Sequence, residues 1–114
     1  MAKNKDLLLF KKEFGKWQDK LGLTGYSTFF YHEPLDGCYA DIGINLDGMV
    51  ATLRLNSDLT KQEKKDKDIR TSAKHEAIHL LVGRLSENAR YRHTSAAELR
   101  ECVEELVCKL EKLI

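Results

Sequence analysis

With 114 residues, 42% of them hydrophobic and 32% charged, the chain has the length of one domain, 1–114, large enough for a single small core without disulfide staples. Nineteen basic against eighteen acidic side chains leave a net charge of +1, without the cationic excess that a nucleic acid or an anionic membrane selects. The N-terminal stretch holds only the short apolar run Leu7 to Phe10, and no run nears the roughly 18 apolar residues of a membrane span, so the expectation is a soluble, cytoplasmic protein with neither signal peptide nor membrane segment.

In chain order, Leu7, Phe10, Phe14, Trp17 and Leu21 recur in steps of three and four, which predicts an amphipathic helix over 3–21, stopped by Gly22 and Gly25. Tyr26 to Tyr31 is aromatic and β-branched and reads as a strand; a loop through Pro34 and Gly37 follows. Ala40, Ile42, Ile44 and Leu46 then alternate with polar or small residues, Asp47-Gly48 offers a two-residue turn, and Met49 to Leu55 alternates again. These three segments predict an antiparallel sheet. Thr60-Lys61-Gln62-Glu63 has the form of a capping box and opens a polar, mixed-charge connector. A helix is predicted over 69–89, with Ala73, Ala77, Ile78, Leu81, Val82 and Leu85 apolar. A second capping box, Ser95 to Glu98, starts a last helix whose expected apolar stripe is Leu99, Val103, Leu106, Leu110 and Leu113. The fold class is therefore α+β. Cys38, Cys102 and Cys108 are odd in number and lack CxxC spacing, which suits buried structural thiols in a reducing compartment.

One sequence on the 69–89 helix carries chemistry: His75-Glu76-Ala77-Ile78-His79, an HExxH motif. Histidines four apart on an α-helix differ by about 40° in azimuth and one turn in height, so both imidazoles can meet one zinc ion. Glu76 then projects beside the metal, where it can act as general base toward a zinc-activated water. The third protein ligand is open. A metzincin is excluded, because Val82 and Leu85 stand where glycine and histidine are needed. An SprT-like site would use His93, and a gluzincin-type site a glutamate of the last helix, with Glu98, Glu101, Glu104 and Glu105 available.

The segment Leu99 to Val107 resembles the glutamate helix of thermolysin-type gluzincins, with Arg100 departing from the family's usual asparagine. That resemblance puts Glu101 at the ligand position, 22 residues after His79, and Glu105 at the acid that supports a ligand histidine. Over most of its length the chain also resembles small zincin-like proteins encoded by phages and prophages: a helix bearing a tryptophan, a short sheet, an HExxHLL helix, and a final V-x-x-L-E motif, here Val107 to Glu111. The resemblance implies a minimal zincin-like fold and a Zn2+-dependent metallopeptidase of narrow specificity, with His75, His79 and Glu101 as metal ligands, Glu76 catalytic, and a peptide or protein as substrate. The strand at 49–56 would then be the edge along which an extended peptide pairs. Competing expectations are a zinc-binding interaction protein without activity and a structural zinc closed by His75, His79, Glu101 and His93. Tyr91 and His93 are further candidates for bonding a developing oxyanion.

Overall fold

A computed structural model describes residues 2–58, 69–89 and 95–113. The capping box at 60–63, the connector after it, and Tyr91 and His93 lie outside the described residues. Helix α1 spans Ala2–Lys20, and the helical spacing of Phe10, Phe14 and Trp17 places all three in the core. Gly22 ends it at φ 73, a left-handed conformation that favours a residue without Cβ. The Gly22 and Leu23 amides donate to the Asp19 and Gln18 carbonyls at 3.2 and 2.8 Å. The Gln18 side chain donates to the Leu23 and Tyr26 carbonyls, both at 3.0 Å, and so holds the path into the sheet.

Strands β1 (Ser27–Glu33), β2 (Ala40–Asn45) and β3 (Val50–Asn56) form one sheet in the order β1-β3-β2. The β2–β3 pair is antiparallel, as the hairpin pattern predicts, but β1 pairs with β3 in parallel, which corrects the all-antiparallel expectation. The connection through Pro34 and Gly37 carries the chain past the middle of the sheet to its far edge. The hairpin then returns β3 into the centre, running the same way as β1. Its loop is also longer than two residues: the Gly48 amide donates to Asn45 Oδ1 at 3.0 Å, and Met49, at φ 54, takes the left-handed position.

Period-2 alternation turns Ala51, Leu53 and Leu55 inward, where they meet α1 and helix α2 (Ile69–Leu81). Phe30 presents its ring edge-on to Phe10 and Phe14, with centroids 6.3 and 5.7 Å apart. On the opposite face Arg54 spans all three strands, bonding Asp41 through two nitrogens and Glu33 at 3.3 Å.

The helix expected over 69–89 bends at Val82 into α2 and a short α3 (Gly83–Ala89). Gly83 lies where β2 passes closest, since a Cβ there would stand 2.9 Å from Ile44 Cδ1. Helix α4 (Ala96–Leu113) opens on the predicted capping box: the Glu98 amide donates to Ser95 Oγ at 3.1 Å, and the Ser95 hydroxyl donates to Glu98 at 3.0 Å. Val103, Val107 and Leu110 pack on Ile78 and Val82. The expected stripe is rotated, for Val107 is fully buried while Leu106 is 38% exposed. Leu85 is exposed as well. All three cysteines are exposed, which corrects the buried-thiol expectation: Cys102 and Cys108 fall off the Val103–Val107–Leu110 stripe, and Cys38 sits in the loop before β2. Among the described residues no helix is long and apolar enough to cross a membrane.

Candidate metal centre

Helix α2 presents three faces. Ala73, Ala77 and Leu80 pack toward the sheet and α1, and Ile78, with Val82 just past the helix end, packs toward α4. The remaining face carries His75 and His79 into a cleft of about 1170 Å³. The other walls of this cleft are the loop before β2, the start of β2, and α4. At about 100° per residue, the four-residue spacing sets the imidazoles one turn apart on the same side, and their ring centroids are 4.9 Å apart.

The acid that meets them is Glu104. Its Oε1 lies 2.5 Å from His79 Nε2 and its Oε2 lies 3.6 Å from His75 Nε2. His75, His79 and Glu104 each offer one donor atom within 4.8 Å of the others. A tetrahedral zinc with bonds of about 2.0–2.2 Å holds its ligand atoms roughly 3.4 Å apart, a separation within the 4.8 Å that encloses these three donors. Two imidazoles and a carboxylate also match zinc chemically. Glu101 is exposed and is not brought to the histidines; Glu104, three residues on, stands where Glu101 was expected. Glu98 is engaged in its capping box.

The acid supporting a histidine is Glu111 rather than Glu105. Glu111 Oε2 lies 3.0 Å from His75 Nδ1, and because a carboxylate can only accept, this bond needs the proton on Nδ1, which leaves Nε2, on the side of Glu104, as the nitrogen that can ligate a metal. Glu105 instead accepts from Lys109 at 2.9 Å on the surface, and that lysine draws its carboxyl below the ordinary carboxylate range. Burial lowers the pKa of His79, against the opposite pull of Glu104, and so favours the neutral imidazole that ligates metal. Glu76 is 7% exposed and lines the same cleft, beside the histidines.

Residues without a sequence motif shape the rest of the cleft. Asn56, at the end of β3, accepts from the amides of Leu35 and Asp58 at 3.2 and 2.8 Å. It donates to the carbonyls of Leu35 and Cys38 at 3.0 and 2.9 Å. Every hydrogen-bonding position of this buried carboxamide is used, and it ties the loop before β2 to the chain after β3. The expected substrate edge at 49–56 is corrected: β3 is paired on both sides, and the strand bordering the cleft is β2, through Ala40, Asp41 and Ile42. Beyond His79 a smaller cavity of about 250 Å³ continues along β2 and is walled by Ile42, Ile44, Leu46, Ser86, Glu87 and Val103.

No protein-family model and no curated protein matches the chain. Among solved structures, the metallopeptidase zymogen of Methanocaldococcus jannaschii, jannalysin, is similar over 92% of this chain and 97% of its own. The identity is 20% and the TM-score 0.43, a likeness that leaves the site to be read from its own geometry.

Proposed function

We propose that this protein is a zinc-dependent metallopeptidase in which His75, His79 and Glu104 hold the metal and Glu76 is the general base. The observation that carries the reading is the convergence of three donors within 4.8 Å on the wall of an open cleft, with the HExxH glutamate beside them. When bound, zinc supplies a Lewis acid that polarises a carbonyl oxygen and acidifies water. The chain's own groups do the rest. Glu111 fixes the His75 ring by accepting its Nδ1 proton. His79 Nε2, beside Glu104, would hold the metal as the neutral imidazole that burial favours, with the ring proton on Nδ1. Glu76 accepts a proton from the attacking water and passes it to the amine nitrogen as the peptide bond breaks.

The β2 edge is antiparallel to β3 on one side and faces the cleft with its first residues, so an extended substrate can add to it as a further strand.

The test joins metal analysis to digestion of a broad peptide library. Zinc near one equivalent per chain, cleavage by the wild type, and loss of cleavage by at least roughly 10²-fold in Glu76→Gln with zinc retained are the expected results. Zinc binding without any cleavage would leave a metal-holding interaction protein and remove the peptidase.

A further inference from the structure

We propose that β1 is an interface strand whose outer edge takes the β1 of a second copy of this chain, antiparallel about a two-fold axis at Phe30, so that two three-stranded sheets become one. This interface is independent of the peptidase reading, because β1 and the cleft-bordering β2 are opposite edges of the described sheet.

The hydrogen bonds of the sheet fix which backbone groups of β1 face outward. The Ser27 amide donates to the Met49 carbonyl at 2.8 Å, and the Ser57 amide donates to the Glu33 carbonyl at 3.0 Å. Between those two bonds β1 and β3 keep one-to-one register from Ser27–Val50 to Glu33–Asn56. A parallel ladder uses both backbone groups of every second residue, so Ser27, Phe29, Tyr31 and Glu33 turn theirs to β3. Thr28, Phe30 and His32 therefore point N–H and C=O outward along the β1 edge. Edge strands are ordinarily blunted by shortness, a lysine, a proline or a bulge. β1 carries none of these: it runs for seven residues as STFFYHE, and its register has no break.

A second copy fits this edge by symmetry. With the axis at Phe30, Thr28 stands opposite the partner's His32, Phe30 opposite the partner's Phe30, and His32 opposite the partner's Thr28. Each of these pairs exchanges N–H···O=C bonds in both directions, so every outward group of the edge is used. An axis at Phe29 or Tyr31 would instead set an outward residue against Tyr26 or Pro34, outside the strand. The pairs in between place Phe29 opposite the partner's Tyr31, and Tyr31 opposite the partner's Phe29, at the closer Cα spacing of about 4.5 Å. These two side chains are 51% and 49% exposed on the face of the sheet away from the helices, beside Thr52 and Arg54. Ser27 meets the partner's Glu33, so no like charges are set face to face. On the helix side, Leu8 of α1 is 64% exposed and stands one turn before Lys11, whose Nζ lies 5.7 Å from the Phe30 ring centroid. A third exposed apolar side chain thus flanks the same edge.

The test is sedimentation equilibrium of the purified full-length chain over a concentration series, with amide hydrogen exchange read at its two ends. A monomer–dimer equilibrium is expected, in which the amides of Thr28, Phe30 and His32 gain protection with concentration and those of β2 do not. Thr28→Pro removes one outward donor and no bond to β3, and should raise the dissociation constant on the order of 10-fold at an unchanged thermal midpoint. Phe29→Glu combined with Tyr31→Glu sets carboxylates opposite one another across the axis and should do the same, whereas Phe29→Lys combined with Tyr31→Glu sets opposite charges there and should dimerise. A chain that is monomeric at every concentration, a dimer that survives both Thr28→Pro and the Phe29→Glu, Tyr31→Glu pair, or assembly that does not stop at two chains overturns the interface. Metal binding and cleavage are scored separately: His75→Ala combined with His79→Ala should still dimerise, and a monomeric chain that cleaves peptides would remove the interface while keeping the peptidase.

Discussion

Glu104 and Glu101 differ by three positions, about 60° around the helix and one turn along it, and only the first reaches the histidines. The cause is the direction in which Val107 points. With Val103, Val107 and Leu110 against Ile78 and Val82, residues 104 and 111 flank the buried stripe on the side of His75 and His79, and residue 101 is turned away. Glu104→Ala should therefore lower zinc affinity by more than the roughly 10–100-fold that losing a supporting group costs, while Glu101→Ala should change it little. Competition with a chromophoric chelator measures both, and equal losses would return Glu101 to the ligand set. Glu111→Gln keeps the shape but weakens the acceptor of the His75 Nδ1 proton, so its loss should fall inside that 10–100-fold range. Of these residues the two histidines and Glu76 were legible as an HExxH motif. Glu111 stood in the sequence only as the end of the V-x-x-L-E motif, and the seven-residue spacing of Glu104 and Glu111 on one helix face was the signal that linked them. Asn56 had none, because nothing in a strand's last residue announces which loops will close on it.

At the scale of elements, α4 is the most weakly attached part of the site. It is joined to α2 through the small cluster of Ile78, Val82, Val107, Val103 and Leu110, apart from the main core that α1, α2 and the sheet share. Val107→Ala should cost about 2 kcal/mol, since it empties a fully buried position, and should also weaken zinc binding by letting α4 turn. Leu106→Ala, at a position 38% exposed, should cost less than about 1 kcal/mol and leave zinc binding alone. Chemical denaturation of the two variants settles the rotation of α4, and the opposite order would restore the stripe expected from periodicity. That periodicity was ambiguous for a physical reason. Leu106 and Val107 are adjacent apolar residues, each fits a three-and-four spacing from Val103 or Leu110, and the choice between them is made by the neighbouring helix. The same holds for the helix over 69–89, whose pattern is continuous but which bends at Val82, beside the place where Gly83 admits Ile44 of β2.

For the molecule as a whole, the proposed centre would couple metal to fold, because two of its donors come from α2 and one from α4. If zinc is held there, at a site the unfolded chain lacks, free zinc at 100 times its dissociation constant should add about 2.7 kcal/mol of stability. For a chain of this length that is on the order of 10 °C in thermal midpoint. The shift should vanish with a chelator and in His75→Ala combined with His79→Ala. A zinc-dependent midpoint in that double variant would sink the assignment of the centre.

The sequence by itself determined the α+β class, the run of helix, three strands and helices, the capping box at Ser95, and the positions of His75, Glu76 and His79, because each of these is set by neighbours within a turn or two. Periodicity, turn residues and helical spacing are local quantities. Only the tertiary structure decided that β3 lies in the middle of a mixed sheet, that β2 is the strand beside the cleft, and that Glu104 and Glu111 rather than Glu101 and Glu105 face the histidines. Those outcomes depend on how far the 34–39 connection carries the chain and on which side of α4 packs against Ile78 and Val82, and both are decided by burial between segments distant in sequence.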